Sequence, residues 1–193
     1  MPGRVFLEKD GAALARCFGV PAAEIATGPD LAPAQMLGIV LPDRLESARW
    51  GMIPTGAVNA RGRPMLEPLI NIRSETLHEK TAFERIQQNR CILPCDGWYE
   101  WTGEKRKKQR WRIGAIDKRL LCFAAIYDIW DAPGGRQVLN FATLTCEPNP
   151  DVRDYHHRMP VILRDPSAWL AGDPVELTSA PAGTLQVQAS DLP

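Results

Sequence analysis

The sequence predicts an α+β fold, a single domain with antiparallel sheets in a barrel-like core and a few flanking helices. Three observations predict it. Apolar runs of strand length recur along the chain, most of them closed by Pro, Gly or Asp. Few stretches carry helix start and stop signals. No internal repeat and no linker divides the 193 residues, a length that suits one domain with a sizeable core.

In chain order, GRVFL (Gly3–Leu7) reads as a strand. A short helix follows in DGAALARCFGV, with Asp10 as N-cap and Gly19 as C-cap. Residues 21–33, rich in Pro, Ala and Gly, read as loop. MLGIVL and ARWGMI read as strands ended by Pro42 and Pro54. The polar stretch from Thr55 to Pro68 is a long loop, and long loops without structure of their own are more often functional than filler. A helix is predicted over Glu75–Asn89, burying Leu77, Phe83 and Ile86. Alternating strands follow in CILPCDGWYEW, RWRIGAI, LLCFAAIYDIW and QVLNFATLTC, with turns at 103–108 and 131–135. The last elements are a strand in HHRMPVIL, a brief helix near Ser167–Ala171 and a final strand in TLQVQA.

Composition narrows the function classes. Hydrophobic residues at 45% and charged residues at 24% describe an ordinary globular chain. No apolar leader opens MPGRVFLEKD and no window reaches the length of a membrane span, so a cytoplasmic location and no membrane partner are expected. The five cysteines are odd in number and lie mostly in apolar runs, which reads as buried thiols. Cys91 and Cys95 lack a completing His or Cys pair, so no metal and no cofactor are expected. Lys+Arg and Asp+Glu balance at 23 each, yet the basic residues are unevenly spread. The stretch from Lys105 to Arg119 is strongly basic and none follows Arg164, a weak sign of a polyanion-binding face; the Lys105–Lys108 run itself reads as a solvated hairpin tip.

Four polar clusters stand where structure alone would not put them: Pro2-Gly3-Arg4, Asn71–Glu75, Glu100 and His156-His157-Arg158. Strand alternation sets Trp98 and Glu100 on one face and Tyr99 and Trp101 on the other. A carboxylate among aromatics is partly desolvated, which raises its pKa and suits acid/base work. Taken alone, Glu100 reads better as an edge-strand carboxylate or the partner of an arginine. His156 and Arg158 also fit a turn that caps the next strand, and Asn71 and Ser74 compete to cap the helix after them. There is no phosphate-binding glycine loop, no G-x-S-x-G elbow and no H-E-x-x-H helix.

Together the clusters form an ordered set: WGMIP (Trp50–Pro54), INIRSET (Ile70–Thr76), RCILPCDGWYEW (Arg90–Trp101) and HHRMPVIL (His156–Leu163). The set resembles the signature of the SOS-response-associated peptidase (SRAP) family, from Pro2 to about Leu170, with a divergent tail over 171–193. The resemblance implies a single domain that recognises abasic sites in single-stranded DNA. In that family Met1 is removed and a cysteine at position 2 closes a thiazolidine on the ring-opened sugar. It implies catalytic roles for Pro2, Asn71, Glu100 and His156: Asn71 holds the N-terminal residue and the sugar, Glu100 orients or deprotonates the α-amine, and His156 assists ring opening. Arg4, Arg73 and Arg158 are implied to meet phosphates, and Thr145 to line the same pocket. A monomer is expected.

Position 2 departs from the family pattern, because proline has no thiol. Two expectations follow. With Met1 removed, Pro2 offers a secondary amine for Schiff-base chemistry and strand cleavage. With Met1 retained, the protein is a non-covalent DNA-binding or regulatory relative. Proteolysis of other proteins ranks below both. Asp30 stands where the family carries asparagine, Thr55 and Gly56 where a tryptophan is expected, and His157 where Asp is common; Cys17 reads as core.

Overall fold

The computed structural model describes residues 2–56, 58, 61–63, 67–104, 107–132 and 134–191. Strand β1 (Val5–Leu7) leads into helix α1 (Gly11–Phe18), followed by β2 (Gly28–Leu31), β3 (Met36–Val40), β4 (Leu45–Trp50) and β5 (Asn71–Arg73). Then come β6 (Arg90–Cys95), β7 (Gly97–Thr102), β8 (Gln109–Ala115), β9 (Leu121–Ala132) and β10 (Arg136–Cys146). The chain finishes with β11 (Met159–Pro160), α2 (Pro166–Ala171) and β12 (Leu185–Ser190).

Two sheets result. In one, β10, β4, β3, β6 and β9 pair in sequence, and β9 returns to β10 to close a five-stranded barrel. The other orders its strands β12-β8-β7-β1-β2. Its inward residues Val5, Trp98 and Ile113 join the barrel's core, where the Trp98 ring meets Phe123 of β9 edge to face at 5.6 Å. The pairing is mostly antiparallel, but β10 runs parallel to both β4 and β5. Trp50 and Phe141 stack at 6.3 Å inside the barrel.

Helix α1 is capped as its sequence indicates: the Asp10 carboxylate accepts the Ala13 N–H, and Gly19 closes the helix in the left-handed region at φ 67°. The helix predicted over Glu75–Asn89 does not form. Two 3-10 turns, Ser74–Thr76 and Thr81–Phe83, stand in its place, and neither has a side-chain cap. On an ideal helix Leu77 and Ile86 would point to opposite sides, whereas irregular turns bury Leu77, Phe83 and Ile86 together. The loop expected over residues 21–33 contains β2, an edge strand whose GPDL sequence gives little strand signal. The strand expected in HHRMPVIL contracts to β11 and a bridge between Phe123 and Ile162. Cys17 is exposed on α1, contrary to its expected place in the core, while the other four cysteines are buried. Lys105, Arg106 and parts of the 55–68 loop lie outside the described residues. Among the described residues no helix is long and apolar enough to cross a membrane.

Candidate active site at the amino terminus

Strand β1 carries the first residues of the chain alongside β7. Val5 pairs with Trp98 and Phe6 with Gly97, and the Tyr99 N–H donates to the Arg4 carbonyl at 3.0 Å. Continued, that register sets Gly3 across from Glu100. Pro2 is buried, and its carbonyl accepts a hydrogen bond from Asn71 Nδ2 at 2.9 Å. Asn71 is fixed from its other side, since the Thr143 hydroxyl, in register on β10, donates to Asn71 Oδ1. The parallel β5–β10 pairing thus aims the Asn71 amide at Pro2.

Glu100 lies on the inward face of β7 with Trp98 and is 3% exposed. Burial pushes its carboxyl from 4.5 up to about 6. His156 follows β10 on a tight turn, where its backbone N–H donates to the Val152 carbonyl at 3.1 Å. Partial burial, with a contribution from neighbouring His157, pushes the imidazole from 6.5 down to about 4. Its Nδ1 accepts the Arg158 N–H at 2.9 Å, which puts the proton of the neutral ring on Nε2. The Arg158 carbonyl, 3.1 Å from the same nitrogen, is the acceptor for Nδ1–H when the ring is protonated.

The four residues implied to meet DNA differ in how committed they are. Arg158 is buried and forms a two-pronged ion pair with Glu75, 2.7 Å on each prong, while Nη2 also donates to the Thr145 carbonyl at 2.5 Å. That pair holds the Glu75 carboxyl below its ordinary range. Arg4 pairs with Asp30 at 2.9 Å, both partners half-exposed. Arg73 is exposed and makes no ion pair among the described residues. Thr145 is fully buried and donates to the Ile72 carbonyl at 3.3 Å. Sequence reasoning missed Glu75 and Thr143 as partners. Glu75 lay in the INIRSET string beside Arg73, and Thr143 two residues before Thr145 on the same strand face.

A surface groove of about 810 Å³ is lined by Met36, Arg49, Ile53, Pro68, Trp130 and Arg136 among others, none of them in this cluster. Among the described residues no three His, Cys, Asp or Glu side chains gather as a metal site.

A family model for the SOS response associated peptidase (SRAP) matches residues 1–190. The abasic site processing protein YoqW of Bacillus subtilis is 35% identical over 159 residues, 78% of this chain and 70% of that protein. YoaM of the same organism, also an abasic site processing protein, is 36% identical over 149 residues, 74% of this chain and 64% of its own length. The abasic site processing protein HMCES of Gallus gallus is 29% identical over 150 residues, 65% of this chain and only 45% of that protein. Among solved structures, a Bacteroides thetaiotaomicron protein superposes with a TM-score of 0.82 at 22% identity, covering 96% of this chain and 90% of that one. A Bordetella bronchiseptica protein superposes with a TM-score of 0.79 at 27% identity, covering 98% and 100%.

Proposed function

The chain belongs to the SOS response associated peptidase family, and from that premise we propose that it recognises and processes abasic sites in single-stranded DNA through its own N-terminal residue. The observation that carries the reading is the hydrogen bond from Asn71 to the Pro2 carbonyl, which ties the start of the chain into a site bordered by Glu100. The relatives named above as abasic site processing proteins supply the substrate.

The chemistry follows from the residue types. His156, neutral at pH 7, takes the C1′ hydroxyl proton as the furanose opens, and that proton returns to O4′. With Met1 removed, the Pro2 nitrogen attacks the aldehyde carbon, and loss of water leaves an iminium. Glu100, mostly ionised at pH 7, accepts the ammonium proton of Pro2 beforehand. Removal of a C2′ proton then expels the 3′ phosphate by β-elimination, and water hydrolyses the adduct. Without a sulfur no thiazolidine closes, so the covalent link is reversible. The protein acts as a monomer and draws on no metal or cofactor in this scheme.

Borohydride trapping on an abasic oligonucleotide tests the proposal. Hydride reduces the iminium to a stable amine, so a trapped adduct is expected only with reductant, and Pro2→Cys should give a durable adduct without it. No adduct from protein whose first residue is confirmed by mass as Pro2 would sink the covalent reading. Position 2 itself favours a second reading: if Met1 is retained, the Pro2 nitrogen is an amide, and the protein is a non-covalent binder of the same DNA.

A further inference from the structure

An aromatic pair at the rim of the site takes no part in the chemistry above. Trp111 of β8 stands directly across from Glu100 in the β7–β8 ladder, so the two side chains rise from the same face. The Trp111 indole N–H donates to Thr102 Oγ1 at 2.8 Å, which sets the plane of the ring. Tyr155, the residue before His156, meets that indole edge to face, with ring centroids 4.8 Å apart and planes at 62°. The pair therefore spans the gap from Glu100 on one sheet to the His156 turn after β10. Trp50, Trp98 and Trp169 are sealed in the core, whereas Trp111 and Tyr155 are only partly buried.

We propose that Trp111 and Tyr155 form a stacking platform for the nucleobase adjacent to the abasic residue, an inference that rests on the abasic-site reading above. An abasic residue has no ring of its own to stack, so holding it in register falls to its neighbours. Stacking on an aromatic face tolerates any base, which suits damage that arises in any sequence. The stretch 51–68, which follows β4, contains no aromatic residue to do this instead. Charge complements the surface: exposed Arg73, two residues along β5 from Asn71, is uncommitted among the described residues and suits the phosphate joining the two nucleotides.

The test uses two short single-stranded oligonucleotides, each with a central tetrahydrofuran abasic analogue that cannot form an iminium. One carries adenines on both sides of it; the other carries further tetrahydrofuran residues there. Fluorescence polarisation should show the wild-type protein binding the base-flanked strand about tenfold more tightly, within the range for stacking one base. Tyr155→Leu should bring the ratio of the two affinities close to one, and Tyr155→Phe should keep it, with thermal melts confirming that both variants fold. An unchanged ratio in folded Tyr155→Leu, or a ratio near one in the wild type, overturns the platform while leaving the site reading intact. Failure to bind either strand overturns the site reading and the platform with it.

Discussion

Burial raises the Glu100 carboxyl from 4.5 to about 6 and lowers the His156 imidazole from 6.5 to about 4, and the two shifts act oppositely on stability. Between those Glu100 values the folded protein keeps a proton that the unfolded chain has released. Its contribution is therefore full below about 4.5 and lost as pH rises through about 6. For His156 the unfolded chain holds the extra proton, so that contribution is full above 6.5 and lost as pH falls through about 4. Glu100→Gln removes the first effect and leaves the second. Its melting temperature should climb more steeply than the wild type's between pH 4.5 and 6 and be no lower than the wild type's at pH 7, while borohydride trapping slows. Parallel melting profiles for the two proteins would show that Glu100 titrates normally. At the Arg4–Asp30 pair, Asp30→Asn removes the carboxylate that competes with phosphate for Arg4. Affinity for single-stranded DNA should rise severalfold at low salt, and the slope of log affinity against log salt should steepen by up to about 0.7. A titration series that leaves both unchanged would place Arg4 away from the DNA.

Strand β10 organises the site because it belongs to both of its structural tasks. Its first half closes the barrel against β4 and β9, and its second half aligns Thr143 with Asn71 and Thr145 with Arg73. The Glu75–Arg158 pair then clamps the turn after β5 to the turn that carries His156. Glu75→Gln weakens this clamp while Arg158 stays buried. The Glu75 side chain is 48% exposed, so solvent screening holds the cost to about 1–2 kcal/mol, below that of breaking a fully buried pair. Denaturant melts should show that loss at pH 7 and little difference between variant and wild type once acid has protonated Glu75. An equal loss at both pH values would point to packing and not charge. The predicted strands at β1, β3 and β6 to β10 were legible because their apolar runs are bounded by turn residues. The Glu75–Asn89 segment is not legible in this way, because Leu77, Phe83 and Ile86 are buried together by irregular turns and their spacing makes no helical stripe.

Across the whole molecule, a formal net charge of zero means that DNA affinity depends on local arginines and not on a general field. If Arg4, Arg73 and Arg158 all met phosphates, the salt slope for single strands would be about −2. The internal pairs of Arg4 and Arg158 predict a shallower one, measurable by polarisation from 50 to 300 mM salt, and a slope well beyond about −2 would require cations outside this cluster. Part of the basic stretch predicted from sequence is already occupied: the Arg110 and Arg112 guanidinium groups lie over the Tyr99 and Phe6 rings at 4.6 and 4.0 Å. Pattern revealed the sheet-rich class, but not that β10 runs parallel to β4 and β5, because pairing direction depends on the route of the whole chain. The contact between Asn71 and Pro2 was beyond periodicity for a similar reason, since 69 residues separate them, and only the order of the motifs hinted at it. That separation sets a clock during biosynthesis. At a synthesis rate of about 5–20 residues per second, roughly 3–14 s pass after Pro2 is made before Asn71 exists, and Thr143, which orients Asn71, comes later still. Until then β1 can pair only with β2, and Pro2 lacks the side chain that holds its carbonyl and stays open to the enzymes that trim an initiator methionine. Once β10 is complete, Pro2 is enclosed, so the N-terminus with which the protein folds is the one it keeps.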